Sequence, residues 1–402
     1  MRRLFKDDDF QFGLEIALGA AARGLADPGE VLATADRIKN GDADAWVREW
    51  TATAQACEEA GDAALAAGRR VSALSHYRRA ARHYSCALYQ VAGSDMADRE
   101  LEIWRRQRGC WDRVVDLHPV PGERVEIPYA DTSLPAYVFR APDAAPGEAR
   151  PLVVMNNGSD GATSDMWMQG GAAAAERGYH WMTFDGPGQQ AALYERGIPF
   201  RPDWEAVLTP VLDVMLARED VDSDRIAVIG VSQAGYWVPR ALAFEHRFAA
   251  AVADPGVVDV STSWTDHLPG HLTKELAEGK KEAFDRSMRM GERFSKKTAA
   301  VLAFRGKPYG MPGDSEFDLF RTVQGYRLGE EVAGISTPLL ITDPENEQFW
   351  PGQSQRLYDM LTGPKEIVRF TAHEGADRHC EPAAPLTRDA RVFDWLDGYL
   401  GG

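Results

Sequence analysis

Basic residues are in short supply in this chain. Its 402 residues hold 45 Lys plus Arg against 61 Asp plus Glu, a net charge of −16. DNA, RNA and acidic membranes bind basic surfaces, so none of these is expected as the main partner. Long hydrophobic runs are missing as well. No stretch approaches the roughly 18 consecutive apolar residues of a membrane span. The N-terminus carries two arginines but no apolar segment or cleavage site behind them, so no secretory leader is expected. Cysteine is sparse: Cys57, Cys86, Cys110 and Cys380 form no CxxC pair and keep no regular spacing. That pattern suits reduced thiols in a cytoplasmic protein, not a disulfide scaffold. What is present is 44% apolar and 10% aromatic residues, enough for a large core, over a length that suggests two or three structural units. The expectation is a large cytoplasmic enzyme.

The front of the chain, residues 1–118, reads as successive helices over Phe12–Arg23, Trp46–Ala66, Arg69–Val91 and Met96–Asp116, punctuated by Gly61, Gly68 and Gly93-Ser94. Leu74, Tyr77, Ala81 and Tyr84 fall on one face at helical spacing. From about Pro119 the texture changes. Arg124–Tyr129 and Leu134–Arg140 alternate as two antiparallel strands joined through Ala130–Ser133. Strands at Pro151–Met155, His180–Phe184, Arg225–Ile229 and Ala249–Ala253 then alternate with helices at Met166–Arg177, Trp204–Arg218 and Tyr236–His246. Near-continuous apolar strands in such an order predict an α/β fold, a mostly parallel sheet with helices on both faces, over 119–402. The alternation stops at Val258 and resumes near Pro338. Residues 258–335 therefore read as a helical lid inserted at the carboxyl ends of the strands. Strand Pro338–Thr342, helix Gln353–Leu361, strand Glu366–Phe370 and a helix around Ala390–Tyr399 finish the pattern.

Gly230-Val231-Ser232-Gln233-Ala234 lies between the Arg225–Ile229 strand and the helix after it. A G-x-S-x-[GA] run there forms a nucleophile elbow: small residues let strand and helix approach, and Ser232 sits on a strained turn with its hydroxyl free. The competing reading is an ordinary strand–helix turn with serine as N-cap. A serine nucleophile needs a base and an orienting acid in late loops. His379, past a glycine-containing loop and before the last helix, is favoured over His373, which follows the strand too closely. For the acid, Glu347 stands four residues before Pro351, while Asp343 and Glu345 stay open as alternatives. Backbone N–H groups of Gln233 and Ser159, the latter in the loop Asn156–Gly161, are the expected oxyanion donors. Asp185-Gly186-Pro187-Gly188-Gln189 reads as a structural turn, since it lacks either nucleotide fingerprint. Pro269 and Gly270 between His267 and His271 disfavour a metal pair on a helix. Trp264, Phe304 and Tyr309 are candidates for lining an apolar substrate pocket, or for the lid's own core.

With these residues in place, the chain resembles the α/β-hydrolase superfamily over about 120–402. The helical front, Asn157–Gly161, Phe184–Gln189 and Asp377-Arg378-His379-Cys380 make it similar to the group of 2,6-dihydroxypseudooxynicotine hydrolase, fungal pigment-shortening hydrolases and fermentation-respiration-switch-like esterases. The resemblance implies Ser232 and His379 as nucleophile and base, and a front segment packed over the core as part of the cap. It departs at the acid, usually Asp, where Glu347 stands. The expectation is a cofactor-free, metal-free serine hydrolase acting on a small-molecule carbonyl substrate; the resemblance implies C–C bond cleavage of an aromatic or polyketide-like ketone, and the same machinery would serve an ester or lactone. An acyl-peptide hydrolase or exopeptidase, and a non-hydrolytic partner protein of the same fold, are the alternatives. The broad helical faces of the front suit a homodimer.

Overall fold

The computed structural model describes residues 3–294, 296–311 and 315–401. Five helices open the chain: α1 (Asp8–Gly19), α2 (Pro28–Ala35), α3 (Ala43–Ala66), α4 (Arg70–Leu88) and α5 (Glu100–Leu117). Aspartate side chains start the first three. Asp7 accepts from the N–H groups of Asp9 and Phe10, Asp27 from Gly29 and Asp42 from Ala45. These caps explain why α1 and α3 begin earlier than apolar periodicity placed them, and why α2, with Pro28 in its first turn, was not foreseen. Gly61 was expected to interrupt a helix but lies inside α3. A Cβ there would sit 2.9 Å from the Tyr77 ring, so its smallness serves close packing of α3 on α4. Gly68, at φ +70°, does end α3.

Eight strands follow in one sheet: β1 (Glu123–Tyr129), β2 (Thr132–Phe139), β3 (Arg150–Asn156), β4 (His180–Phe184), β5 (Val221–Val231), β6 (Ala250–Asp254), β7 (Leu339–Pro344) and β8 (Lys365–Phe370). Their order is β1-β2-β4-β3-β5-β6-β7-β8. The β1–β2 and β2–β4 pairs are antiparallel and the rest parallel. The β1–β2 turn is tighter than expected, with only Ala130 and Asp131 between the strands and Ala130 at φ +48°. The expected helix at Met166–Arg177 is split into a 3₁₀ turn, Thr163–Trp167, and a helix, Gly171–Glu176, by Gly170 at φ +150°.

Alternation along the strands divides the core in two. Val153, Met155, Ala227 and Ile229 join the front helices and the last helix, Pro385–Leu400, in one cluster. Leu152, Val154, Ile226 and Val228 join the other helices and the 258–335 segment in the second. That segment holds helices Thr262–Thr265, Gly270–Ala277, Lys281–Phe294, Lys296–Gly306 and Glu316–Val323. Helix Lys296–Gly306 packs on the Val91–Gly93 turn, so the 258–335 segment and the front helices meet. Buried ion pairs fasten the front to the sheet: Arg108 to Asp185 at 2.6 Å and Arg82 to Asp165 at 2.8 Å. Among the described residues no helix is long and apolar enough to cross a membrane.

Candidate active site

Ser232 follows β5 and precedes helix Ala234–Leu242, at φ +60°. A left-handed non-glycine residue costs about 1–3 kcal/mol, so its surroundings must hold it there. Its N–H donates to the Asp254 carbonyl at 2.6 Å, tying the turn to β6. The neighbouring glycines have no room for a side chain: a Cβ at Gly230 would stand 2.4 Å from the Ala234 carbonyl oxygen, and one at Gly235 1.8 Å from that of Pro255.

The Ser232 Oγ lies 2.9 Å from His379 Nε2. On the far side of the ring, His379 Nδ1 stands 2.9 Å and 3.0 Å from the two Glu347 oxygens. Glu347 Oε1 also accepts from the N–H groups of Phe349 (2.9 Å) and Trp350 (3.2 Å). His379 and Glu347 are both buried. Burial favours the neutral Glu347, but the imidazole and those two N–H donors outweigh it and hold the carboxyl below its usual range. Burial also works against a charged His379. The facing carboxylate prevails, and the imidazole is held above its ordinary value.

The other acids and the other histidine are elsewhere. Asp343 pairs with Arg369 at 2.5 Å, Glu345 accepts from the Ala372 N–H at 2.8 Å, and His373 is exposed. Gly158 brings the loop after β3 against the serine: a Cβ there would lie 2.7 Å from Ser232 Cβ and 3.2 Å from Oγ. The Gly158 N–H is already given to Asn157 Oδ1 at 2.8 Å. Among the described residues the Ser159 and Gln233 N–H groups have no protein acceptor. The Asp185–Gln189 turn braces this loop, since Gln189 Nε2 donates to the Asn157 and Gly158 carbonyls at 2.7 Å each.

Three aromatic side chains pack against the imidazole: Phe349 at 4.8 Å between centroids, Trp350 at 5.6 Å and Phe12 of α1 at 6.4 Å. Sequence reasoning did not single these out. Phe349 and Trp350 had a signal, their place two and three residues after the candidate acid, but Phe12 had none, being brought in by tertiary packing. Trp264 and Tyr309 are buried ring to ring at 5.7 Å, and the Tyr309 hydroxyl reaches Gln233 Oε1 at 3.4 Å. Phe304 separates from them and packs against the front cluster.

Behind the serine, Asp254 accepts from the Thr342 hydroxyl at 2.7 Å, and burial pushes the Asp254 and Glu381 carboxyls upward. Glu30, Cys57 and His83, in the front helices, offer metal-ligand atoms within 4.8 Å of one another. There, however, the Arg79 guanidinium already holds Glu30, and burial pushes the Cys57 thiol up to about 12, a poor donor set for a cation. His267 and His271 straddle the start of helix Gly270–Ala277 and are both exposed.

The Peptidase_S9 model, prolyl oligopeptidase family, matches residues 208–307, which include the Ser232 turn. The hydrolase acrC of Aspergillus aculeatus is 35% identical over 300 residues, covering 69% of this chain and 70% of that protein. The 20-hydroxy-prefusarin hydrolase FUS2 of Gibberella moniliformis is 32% identical over 416 residues, 99% of this chain and 98% of that one. The crystal structure of 2,6-dihydroxy-pseudo-oxynicotine hydrolase superposes with a TM-score of 0.74 at 20% identity, over 95% of each chain, and so shares the fold. With similarity to FUS2 running through the helical front as well as the sheet, the chain belongs to the α/β-hydrolase superfamily, in the group of hydrolases that includes acrC and FUS2.

Proposed function

We propose that the protein is a cofactor-free serine hydrolase that attacks a carbonyl carbon of a small molecule, by preference a ketone cleaved at its C–C bond. The observation that carries this reading is the unbroken chain Ser232 Oγ–His379–Glu347, with contacts of 2.9 Å on both sides of the imidazole. His379 Nε2 takes the hydroxyl proton as Ser232 Oγ bonds to the carbonyl carbon, and Glu347 stabilises the imidazolium. The oxyanion is received by the N–H groups of Gln233 and Ser159. Collapse of the tetrahedral adduct breaks the bond to the leaving group, which takes the proton from His379. A water molecule, deprotonated by the same imidazole, then releases the acyl group from Ser232. An ester or lactone passes through the same steps with an alkoxide as leaving group. In the C–C case the leaving group is a carbanion, so it must be stabilised as an enolate, which favours β-dicarbonyl substrates.

The experiment is product analysis on matched pairs of aryl esters and β-diketones. Release of a ketone and a carboxylic acid from the diketone, lost in Ser232→Ala, is the expected result. Turnover of esters alone would assign the ester reading. The match of residues 208–307 to the prolyl oligopeptidase family favours a second reading, an exopeptidase. Turnover of aminoacyl 4-nitroanilides in preference to both panels would select it.

A further inference from the structure

Arg305 lies on helix Lys296–Gly306 of the lid, its guanidinium carbon 4.3 Å from the centroid of the Trp264 ring. Several other arginines that reach into the protein have carboxylate partners. Arg108 has Asp185, Arg82 has Asp165, and Arg23 and Arg388 share Asp389. Among the described residues, no carboxylate comes within ion-pair distance of Arg305. Its side chain is open to solvent, yet its surroundings strip enough water from it to hold its pKa below the ordinary arginine value, against the pull of Tyr309, Asp160 and Asp9. With Trp264 under it and solvent beside it, the guanidinium stands on a wall from which it can reach a bound group.

The same wall leads to the nucleophile. Arg305 rests on Trp264, Trp264 meets Tyr309 edge to face, and Tyr309 bonds Gln233, the residue after Ser232. The charge of Asp160, next to the proposed oxyanion donor Ser159, acts on both Arg305 and His379, so both groups lie around the same loop. In a protein of net charge −16, an unpaired cation on this wall is a place that would accept a negative group. A guanidinium seated over an indole keeps its N–H fork for another partner, and that fork matches a carboxylate with two parallel hydrogen bonds.

We propose that Arg305 binds a carboxylate at the end of the substrate remote from the scissile carbonyl, with Trp264 supporting the guanidinium. This inference rests on the serine-hydrolase reading for its geometry, and it adds the charge of the substrate.

Binding is measured by calorimetry on the full chain carrying Ser232→Ala, which needs no turnover. The probes are glutaric acid mono-4-nitroanilide and pentanoic acid 4-nitroanilide, alike except for the terminal carboxylate. The acid is expected to bind about tenfold more tightly, the effect of one charge-assisted pair in a partly solvated site. Adding Arg305→Gln brings the ratio of dissociation constants close to one, while Arg305→Lys, keeping charge without the fork, retains part of it. Equal binding of the two probes to the parent chain, or an unchanged ratio in Arg305→Gln, overturns the proposal; the parent ratio decides even if a variant fails to fold. Fluorophosphonate labelling of the wild type is scored separately. Labelling with equal probe binding would remove only the role of Arg305. No labelling with a tenfold ratio would remove the serine mechanism and leave the subsite.

Discussion

Glu347 and His379 face each other as a coupled pair whose shifts run in opposite directions, the carboxyl downward and the imidazole upward. The sign of the pH dependence follows. Only neutral His379 can take the Ser232 proton, and its folded-state pKa is raised, so kcat/KM rises with pH through an apparent pKa above the ordinary imidazole value of about 6.5. An acid limb centred below that value would contradict the pairing. Glu347→Gln keeps the shape but removes the charge opposing the imidazolium, and turnover is expected to fall by about 10³–10⁴. Asp343→Asn, at a residue held by Arg369 on the sheet, is expected to stay within about threefold. Steady-state rates of the two variants, side by side, decide the identity of the acid.

These residues were legible in the sequence to different degrees, for physical reasons. The Ser232 turn is local, and its glycines mark a backbone approach that no other residue type allows. Glu347 was separated from Asp343 and Glu345 by its spacing to Pro351, but only the fold shows Arg369 and Ala372 engaging the other two. Phe304 was grouped with Trp264 and Tyr309 because composition cannot tell which way each aromatic of the 258–335 segment packs. In the structure Phe304 turns toward the front helices.

At the level of elements, the turn after β5 is a three-way junction. β5, helix Ala234–Leu242 and the Asp254–Pro255 end of β6 meet with no spare volume at Gly230 and Gly235. Gly235→Ala would set a Cβ against the Pro255 carbonyl at 1.8 Å and is expected to lower the thermal midpoint sharply or prevent folding. Gly158→Ala presses on Ser232 from a loop. Its expected signature differs: turnover falls by orders of magnitude while the melting transition moves little, checked by rates and calorimetry on one preparation. The strands and the long helices were readable from periodicity. Short α2 and the split of the Met166–Arg177 segment were not, because an aspartate cap, a proline and one glycine at φ +150° decide them.

Across the whole molecule, the front helices and the 258–335 segment touch each other where helix Lys296–Gly306 meets the Val91–Gly93 turn. The front is fastened through buried charge. Asp185→Ala leaves the Arg108 guanidinium without its carboxylate in the interior, an expected loss of about 3–5 kcal/mol by denaturant titration. Because the front shares one apolar cluster with β2, β3, β5 and the last helix, a chain starting at residue 119 would expose that face. Such a chain is expected to aggregate in gel filtration, and a stable monomer would show the sheet to be self-sufficient. The central claim is that Ser232 is a nucleophile. Intact-mass and peptide mapping after treatment with a neutral fluorophosphonate tests it most directly. One adduct, on Ser232, lost in Ser232→Ala and slowed in His379→Ala, is the predicted result, whereas no adduct, or equal labelling of Ser232→Ala, would contradict it.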